Sequence, residues 1–394
     1  MFANPGGNVA AKDVVGRDLF IKRFWRTLEQ TGVILVAERR MGKTTIINKM
    51  KEEPWAGTLL LADDVEGVSL ALEFVERIAS NISKHLSHKS KAKTNFMKLW
   101  STLGGTEIAG VFKLPDAKKD DWKVSLTKMI GDLVDHQEDR IVLIWDEFPW
   151  MLQKIGRKEG AATVADLIDT LRALRQQHKN LRMVFTGSIG LHHVIGGLQD
   201  EGFANSPLND MRTLEVPPLD HTGAATLAQQ LIKGGGLSTD QDKEIVELIT
   251  AQVDRVPYYI HHVIAGLADG GETPTLDGVA DIIKNALLDA QDPWKLEHYR
   301  SRLKEYYGER ADLVRTTLNI LADHDALSLD QLREQTKLQY RGGNQASQRL
   351  LDGDAEGFRD LVKLMLRDHY LERNDQGAYG FRFQLIKRWW QLEM

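Results

Sequence analysis

Residues 33–45 read VILVAERRMGKTT: a short apolar run, a tight turn, then Gly42-Lys43-Thr44 where a helix is expected to open. Apart from its first position this is the pattern G-x-x-x-x-G-K-[ST], with Ala37 in place of the first glycine. Such a loop wraps a polyphosphate. Its successive backbone N–H groups converge, its lysine meets the β- and γ-phosphates, and its hydroxyl residue serves Mg²⁺. Ala37, Met41, Gly42, Lys43, Thr44 and Thr45 are therefore candidate nucleotide contacts, with Thr44 also on the ion. Arg39 and Arg40 face either phosphate or solvent. The helix that follows adds the positive end of its dipole. Alanine at 37 carries a cost only if that position needs a left-handed backbone or a very close approach.

A second stretch, RIVLIWDEFPW at 140–150, places two carboxylates at the end of an apolar strand. Open α/β sheets bind ligands outside the carboxyl ends of their strands. Adjacent strand residues point to opposite sides, so the two acids divide the work. Asp146 is read as a magnesium ligand and Glu147 as the group that polarises the attacking water in phosphoryl transfer. A third strand, in LRMVFTGS at 181–188, ends in Thr186 and Ser188, whose hydroxyls are placed to sense a γ-phosphate or orient that water.

Working outward, Asp18 caps a helix through about 29, followed by a strand at 33–36 and a helix at 44–51. Further strands are expected at 58–62, 140–145 and 182–185, with helices at 69–86, 122–134 and 161–178. Short apolar runs alternating with helices predict a parallel sheet covered on both faces. The basic, glycine-interrupted stretch 88–119 is read as a solvated insertion, with a small hairpin near 106–114. After Pro217-Pro218 the pattern is helical through about 290, and Ser238 with Gln241 reads as a capping box. Asp292-Pro293 begins a connector. Helices at 311–324, 328–335 and 355–370, then the alternating GAYGFRFQL, describe helices followed by a wing hairpin. The expected domains are an α/β core at 1–216, an all-α lid at 217–292, and a connector with a winged helix at 293–394.

Composition narrows the chemistry. The chain has 394 residues, too many for one core, and no cysteine, which excludes disulfides, thiolate metal sites and a cysteine nucleophile. A formal net charge of −5 gives no general pull toward nucleic acid or anionic lipid. The first twenty residues lack the pattern of a signal peptide, and no eighteen apolar residues run together, so a cytoplasmic protein without membrane spans is expected. His192-His193 and His261-His262 are adjacent pairs and lack the i, i+4 spacing of two ligands on one helix face.

Gly16-Arg17 ahead of a helix, RRMGKT, LIWDEFPW, FTGS, and Ser206-Pro207-Leu208 ahead of Pro218-Leu219 form a set. Together they resemble the AAA-like P-loop ATPases of the STAND class, in particular the prokaryotic archaeal-type ATPase family related to origin-recognition ATPases. The motifs span about 14–257, and with the tail the likeness runs over nearly the whole chain. The resemblance implies ATP and Mg²⁺ as cofactors and nucleotide bound between core and lid. It puts Arg17 near the base or ribose, Arg212 as a cation for the γ-phosphate, and Pro257 where the family carries a Gly-x-Pro element in its lid, although the glycine is missing here. It also implies the C-terminal winged helix, with oligomerisation and a protein partner or DNA as what it meets. Asp352, Asp354 and Glu356 crowd the start of the would-be recognition helix and repel phosphates. Arg341, Arg349, Arg359, Arg367, Arg382, Lys387 and Arg388 offset them only if they share a face. A regulatory or protein-contacting role is the favoured reading of this module, with a DNA-associated ATPase as the alternative.

Overall fold

The apolar run before the phosphate turn becomes strand β1 (Gly32–Val36), and the lysine that follows opens a helix, Lys43–Glu52. This computed structural model describes residues 1–86, 91–108, 110–115, 121–187, 190–203, 207–271, 273–353 and 355–394. Strand β2 (Thr58–Asp64) is followed by a short antiparallel hairpin of β3 (Thr106–Ile108) and β4 (Val111–Lys113). Then come β5 (Arg140–Asp146), β6 (Leu181–Thr186) and β7 (Met211–Glu215). The five longer strands form one parallel sheet in the order β2-β5-β6-β1-β7. Residues 141–145 of β5 are all buried, as a strand covered on both faces requires. Beside this sheet, Phe74, Trp145, Phe148 and Phe185 pack ring on ring, with Phe148 and Phe185 centroids 4.2 Å apart.

The stretch after residue 88 departs from the expectation of a solvated insertion. Its described part contains helix Lys91–Thr102, and Phe96, Trp100, Phe112 and Leu114 are buried in the same apolar cluster as the sheet. Aromatic residues at helical spacing outweigh its lysines. Helices Phe148–Glu159 and Leu191–Asp200 and strand β7 were also not foreseen.

By contact, the chain divides into two compact units. One comprises 10–39 and 43–216, the α/β unit; the other comprises 1–9, 40–42 and 217–394. The second unit is helical from Asp220, which caps helix His221–Gly234 through the Gly223 N–H. The next helix, Asp242–Gln252, is not started by a Ser238–Gln241 box. Instead the Thr239 N–H donates to the Asp242 carboxylate and the Thr239 hydroxyl accepts from the Gln241 N–H. Helices Pro257–Gly270 and Leu276–Leu288 follow.

Farther along come helices His298–Tyr307, Ala311–Ala322 and Leu329–Gln339, the last with a full Ser328/Gln331 capping box. Helix Ala355–Arg367 stands where the third helix is expected, and helix Gln345–Asp352 precedes it. Strands β8 (Leu371–Arg373) and β9 (Tyr379–Phe381) form a hairpin, and Leu327 bridges to Tyr379. The aromatic tail is helix Gln384–Leu392, whose Trp389 and Trp390 are buried. No helix among the described residues is long and apolar enough to cross a membrane.

Candidate nucleotide site

The order of the sheet sets the site. Strand β6 lies between β1, which delivers the phosphate loop, and β5, which delivers the acids. Leu35 of β1 is opposite Thr186, and Trp145 of β5 is opposite Phe185. Three strand ends therefore open side by side at one edge of the sheet, where doubly wound folds bind ligands.

In the loop, Gly42 has φ +85°, a conformation that glycine adopts without strain. Ala37 is not among the residues with positive φ, so the missing first glycine costs the backbone nothing. Lys43 and Thr44 open the helix, where backbone N–H groups lack intrahelical acceptors. The Thr44 hydroxyl donates to Asp146 Oδ2 at 3.1 Å across 102 residues of sequence. Lys43 Nζ donates to the Ala37 carbonyl at 2.9 Å.

Asp146 is the last residue of its strand, and its other oxygen accepts the Glu147 N–H at 3.1 Å. Glu147 does not continue the strand. It adopts a left-handed conformation, φ 56° and ψ 28°, before helix Phe148–Glu159. Strand alternation therefore does not set its direction; the turn does. A non-glycine residue held there is strained, as is common at functional sites. Gly187 shows how tightly this turn is packed, because a Cβ on it would lie 2.7 Å from Pro149 Cδ. Beside it, Thr186 is 2% exposed and its hydroxyl has no hydrogen-bond partner among the described residues.

The electrostatics have one character. Desolvation raises Asp146 above the usual aspartate range, Glu147 adds to this, and Lys43 and the Thr44 hydrogen bond oppose it. Desolvation likewise pulls Lys43 below the usual lysine range, against Glu38, Glu147 and Asp146. Each charge is thus disfavoured until a complementary group arrives, a pattern typical of ligand sites. A hydroxyl and a carboxylate oxygen in contact are the hard donors that Mg²⁺ takes, and a desolvated lysine at a helix N-terminus suits phosphate.

The remaining candidates are dispersed. Met41 is buried, Thr45 half-buried and Arg39 exposed. Arg40, at φ 75°, sets its guanidinium 4.1 Å over the Tyr258 ring instead of standing free. Arg17 is buried just ahead of helix Asp18–Gln30. Arg212 is exposed and opposite Val33, three residues short of the end of β1, so the register does not bring it to the loop's edge of the sheet. Pro257 is the first residue of its helix, and Arg255, two residues earlier, adopts φ 56°. The left-handed turn that a glycine would supply is therefore made without one. Ser188 and Ser206 lie outside the described residues.

Sequence reasoning missed Glu38 and Gly187. Glu38 carried a signal, a charged residue inside a phosphate loop; Gly187 carried none beyond being a glycine after a strand.

No family model and no curated protein matches the chain. Among solved structures, it is similar to a Walker-type ATPase of Pyrococcus abyssi, with 15% identity, TM-score 0.63, and coverage of 99% of this chain and 100% of that one. It is also similar to the ORC2 protein of Aeropyrum pernix in its ADPNP–ADP complexes, with 10% identity, TM-score 0.50, and coverage of 95% and 92%. Over nearly its whole length the chain shares its fold with these two proteins.

Proposed function

We propose that the chain is an ATP-hydrolysing molecular switch of the AAA-like, STAND-type group. The observation that carries this is the Thr44–Asp146 contact beside Lys43. Thr44 and Asp146 would hold Mg²⁺, which supplies charge neutralisation for the phosphates. Lys43 and the amides that open the helix bind the β- and γ-phosphates. Glu147 takes the proton of the attacking water, and Thr186 offers its unpartnered hydroxyl to the γ-phosphate or to that water. Arg17 serves the base or ribose, Pro257 opens the lid helix, and Arg212 is the candidate γ-phosphate cation, paired with Val33 in the register of β7 with β1.

The output arm is the second unit. Residues 40–42 of the phosphate loop belong to that unit by contact. Within it we read 217–292 as the lid and 293–394 as connector and winged helix. Helices followed by the β8–β9 hairpin, with Leu327 bridged to Tyr379, support that reading. Measuring phosphate release from ATP with and without Mg²⁺ tests the enzyme. The wild type is expected to turn over only with the ion and Glu147→Gln to bind without turnover; a wild type without Mg²⁺-dependent release sinks the proposal.

A second reading, DNA association, has one observation in its favour. Arg359, Lys363 and Arg367 recur at i, i+4, i+8 on helix Ala355–Arg367, and all are exposed. Lys363 pairs with Asp360 on the same helix, and of the other expected cations Lys387 meets Asp325 at 3.1 Å, Arg388 donates to Gln252 and Arg382 contacts His369. Salt-dependent binding of the full chain to duplex DNA, lost in a triple alanine variant of that stripe, would favour this reading.

A further inference from the structure

The residue after Ala37 is out of place in an anion-binding loop. Glu38 is 4% exposed, and such burial is uncommon for a carboxylate. Its Oε1 accepts the Arg39 backbone N–H at 2.7 Å, so a loop amide is satisfied by the chain's own anion. Lys43, six residues on, is bonded to the loop's own Ala37 carbonyl. Glu38 is also the foremost of the acids that favour the charged form of Lys43, ahead of Glu147 and Asp146. The loop thus bonds its lysine and one amide to groups of its own.

We infer that Glu38 is a built-in counter-charge of the phosphate loop, one that stands in for polyphosphate when the site is empty and opposes its retention when the site is filled. This rests on the nucleotide reading above and adds the control of affinity and release to it. A buried negative charge within the loop repels a bound triphosphate and favours departure of the product. Two full charges about 6 to 12 Å apart at an effective dielectric of about 20 correspond to roughly ten- to a hundredfold in affinity. No electron or proton needs to move; the effect is charge against charge.

The test measures equilibrium affinity for fluorescent mant-ATP and the dissociation rate of mant-ADP, both with Mg²⁺, in the full chain. Glu38→Gln keeps the shape and the acceptor oxygen for the Arg39 N–H while removing the charge. It is expected to bind mant-ATP roughly tenfold or more tightly, with most of the gain in slower release. Glu38→Asp retains the charge and is expected to stay within about twofold of the wild type. Glu38→Ser, a second neutral variant, guards against a folding defect in the first and is also expected to bind more tightly. Unchanged or weaker binding in the folded neutral variants overturns the inference. Lys43→Ala separates the two levels: if it abolishes wild-type binding while Glu38→Gln brings no gain, only the role of Glu38 falls. If the wild type binds no mant-nucleotide at all, the nucleotide reading falls and takes this inference with it.

Discussion

The two units of this chain partner their buried charges differently. At the sheet edge of the α/β unit, Lys43 and Asp146 are both desolvated and both shifted toward their neutral forms. In the helical unit, buried charges are tied down. Arg302 donates to the Tyr370 hydroxyl at 2.8 Å and to the Asp368 carbonyl at 3.1 Å, and the Tyr307 hydroxyl donates to the Asp368 carboxylate at 2.6 Å. Asp254 accepts the Gln384 and Leu385 N–H groups, capping the C-terminal helix from the turn that precedes Pro257. A charge with its partners in place supports a fold, whereas one stripped of water and short of partners awaits a ligand.

This contrast is easiest to break with Arg302. Arg302→Ala would leave the Tyr370 hydroxyl without its donor and remove a guanidinium 4.4 Å above the Tyr370 ring. It should lower unfolding stability by about 3 kcal/mol, as loss of one partner in a buried network does. Denaturant titration reads this directly. An effect within the noise would mean that the helical unit does not depend on its charges as described.

Lys43→Ala tests the other side. Turnover should fall at least about a hundredfold, as when a charge-stabilising donor is removed from an active site. Stability should be unchanged or slightly higher, because a desolvated cation has been removed. A large loss of stability would make Lys43 a strut and erase the distinction between the units.

Smaller effects sharpen it. Arg255→Gly would relieve a left-handed conformation but would also remove the Nε donation to the Leu219 carbonyl and loosen the unfolded chain, so thermal unfolding should shift by less than about 1 kcal/mol. Asp254→Ala should cost about 1 kcal/mol through loss of the cap on helix Gln384–Leu392.

The pH dependence carries a sign. Asp146 is raised by burial and by Glu147, so it takes up a proton at higher pH than an ordinary aspartate. Mg²⁺ needs the ionised form, so Mg²⁺-dependent binding should fade on the acid side earlier than the usual carboxylate range. Over the same window the raised pKa makes the folded state the better proton acceptor, so this group adds stability as pH falls. Asp146→Asn should flatten both trends, which nucleotide affinity and thermal midpoints across pH would show.

How much of this was legible depends on whether a signal was local. The phosphate loop, the acid-ended strand and the FTGS turn are contiguous strings, and their residues meet where strand ends should meet. The helical pattern after Pro217 was equally plain. What stayed hidden was set by packing or by long-range partners. The lysine-rich stretch after 88 is held by Phe96, Trp100 and Phe112 in the core. Glu147 turns left-handed where alternation would continue the strand. Arg212 looked placed for phosphate until the pairing of β7 with β1 put it opposite Val33. Arg255, two residues ahead of Pro257, adopts a left-handed conformation that its residue type does not announce.

The central claim is that the hydroxyl at 44 and the carboxylate at 146 share one ion beside the lysine at 43. A crystal structure of the full chain with Mg²⁺ and a non-hydrolysable ATP analogue tests it most directly. The account predicts one Mg²⁺ at Thr44 Oγ1, with Asp146 in contact with the ion or its waters and Lys43 turned from the Ala37 carbonyl onto phosphate. An analogue bound elsewhere, or a triphosphate in the loop with Asp146 remote from its ion, would contradict it.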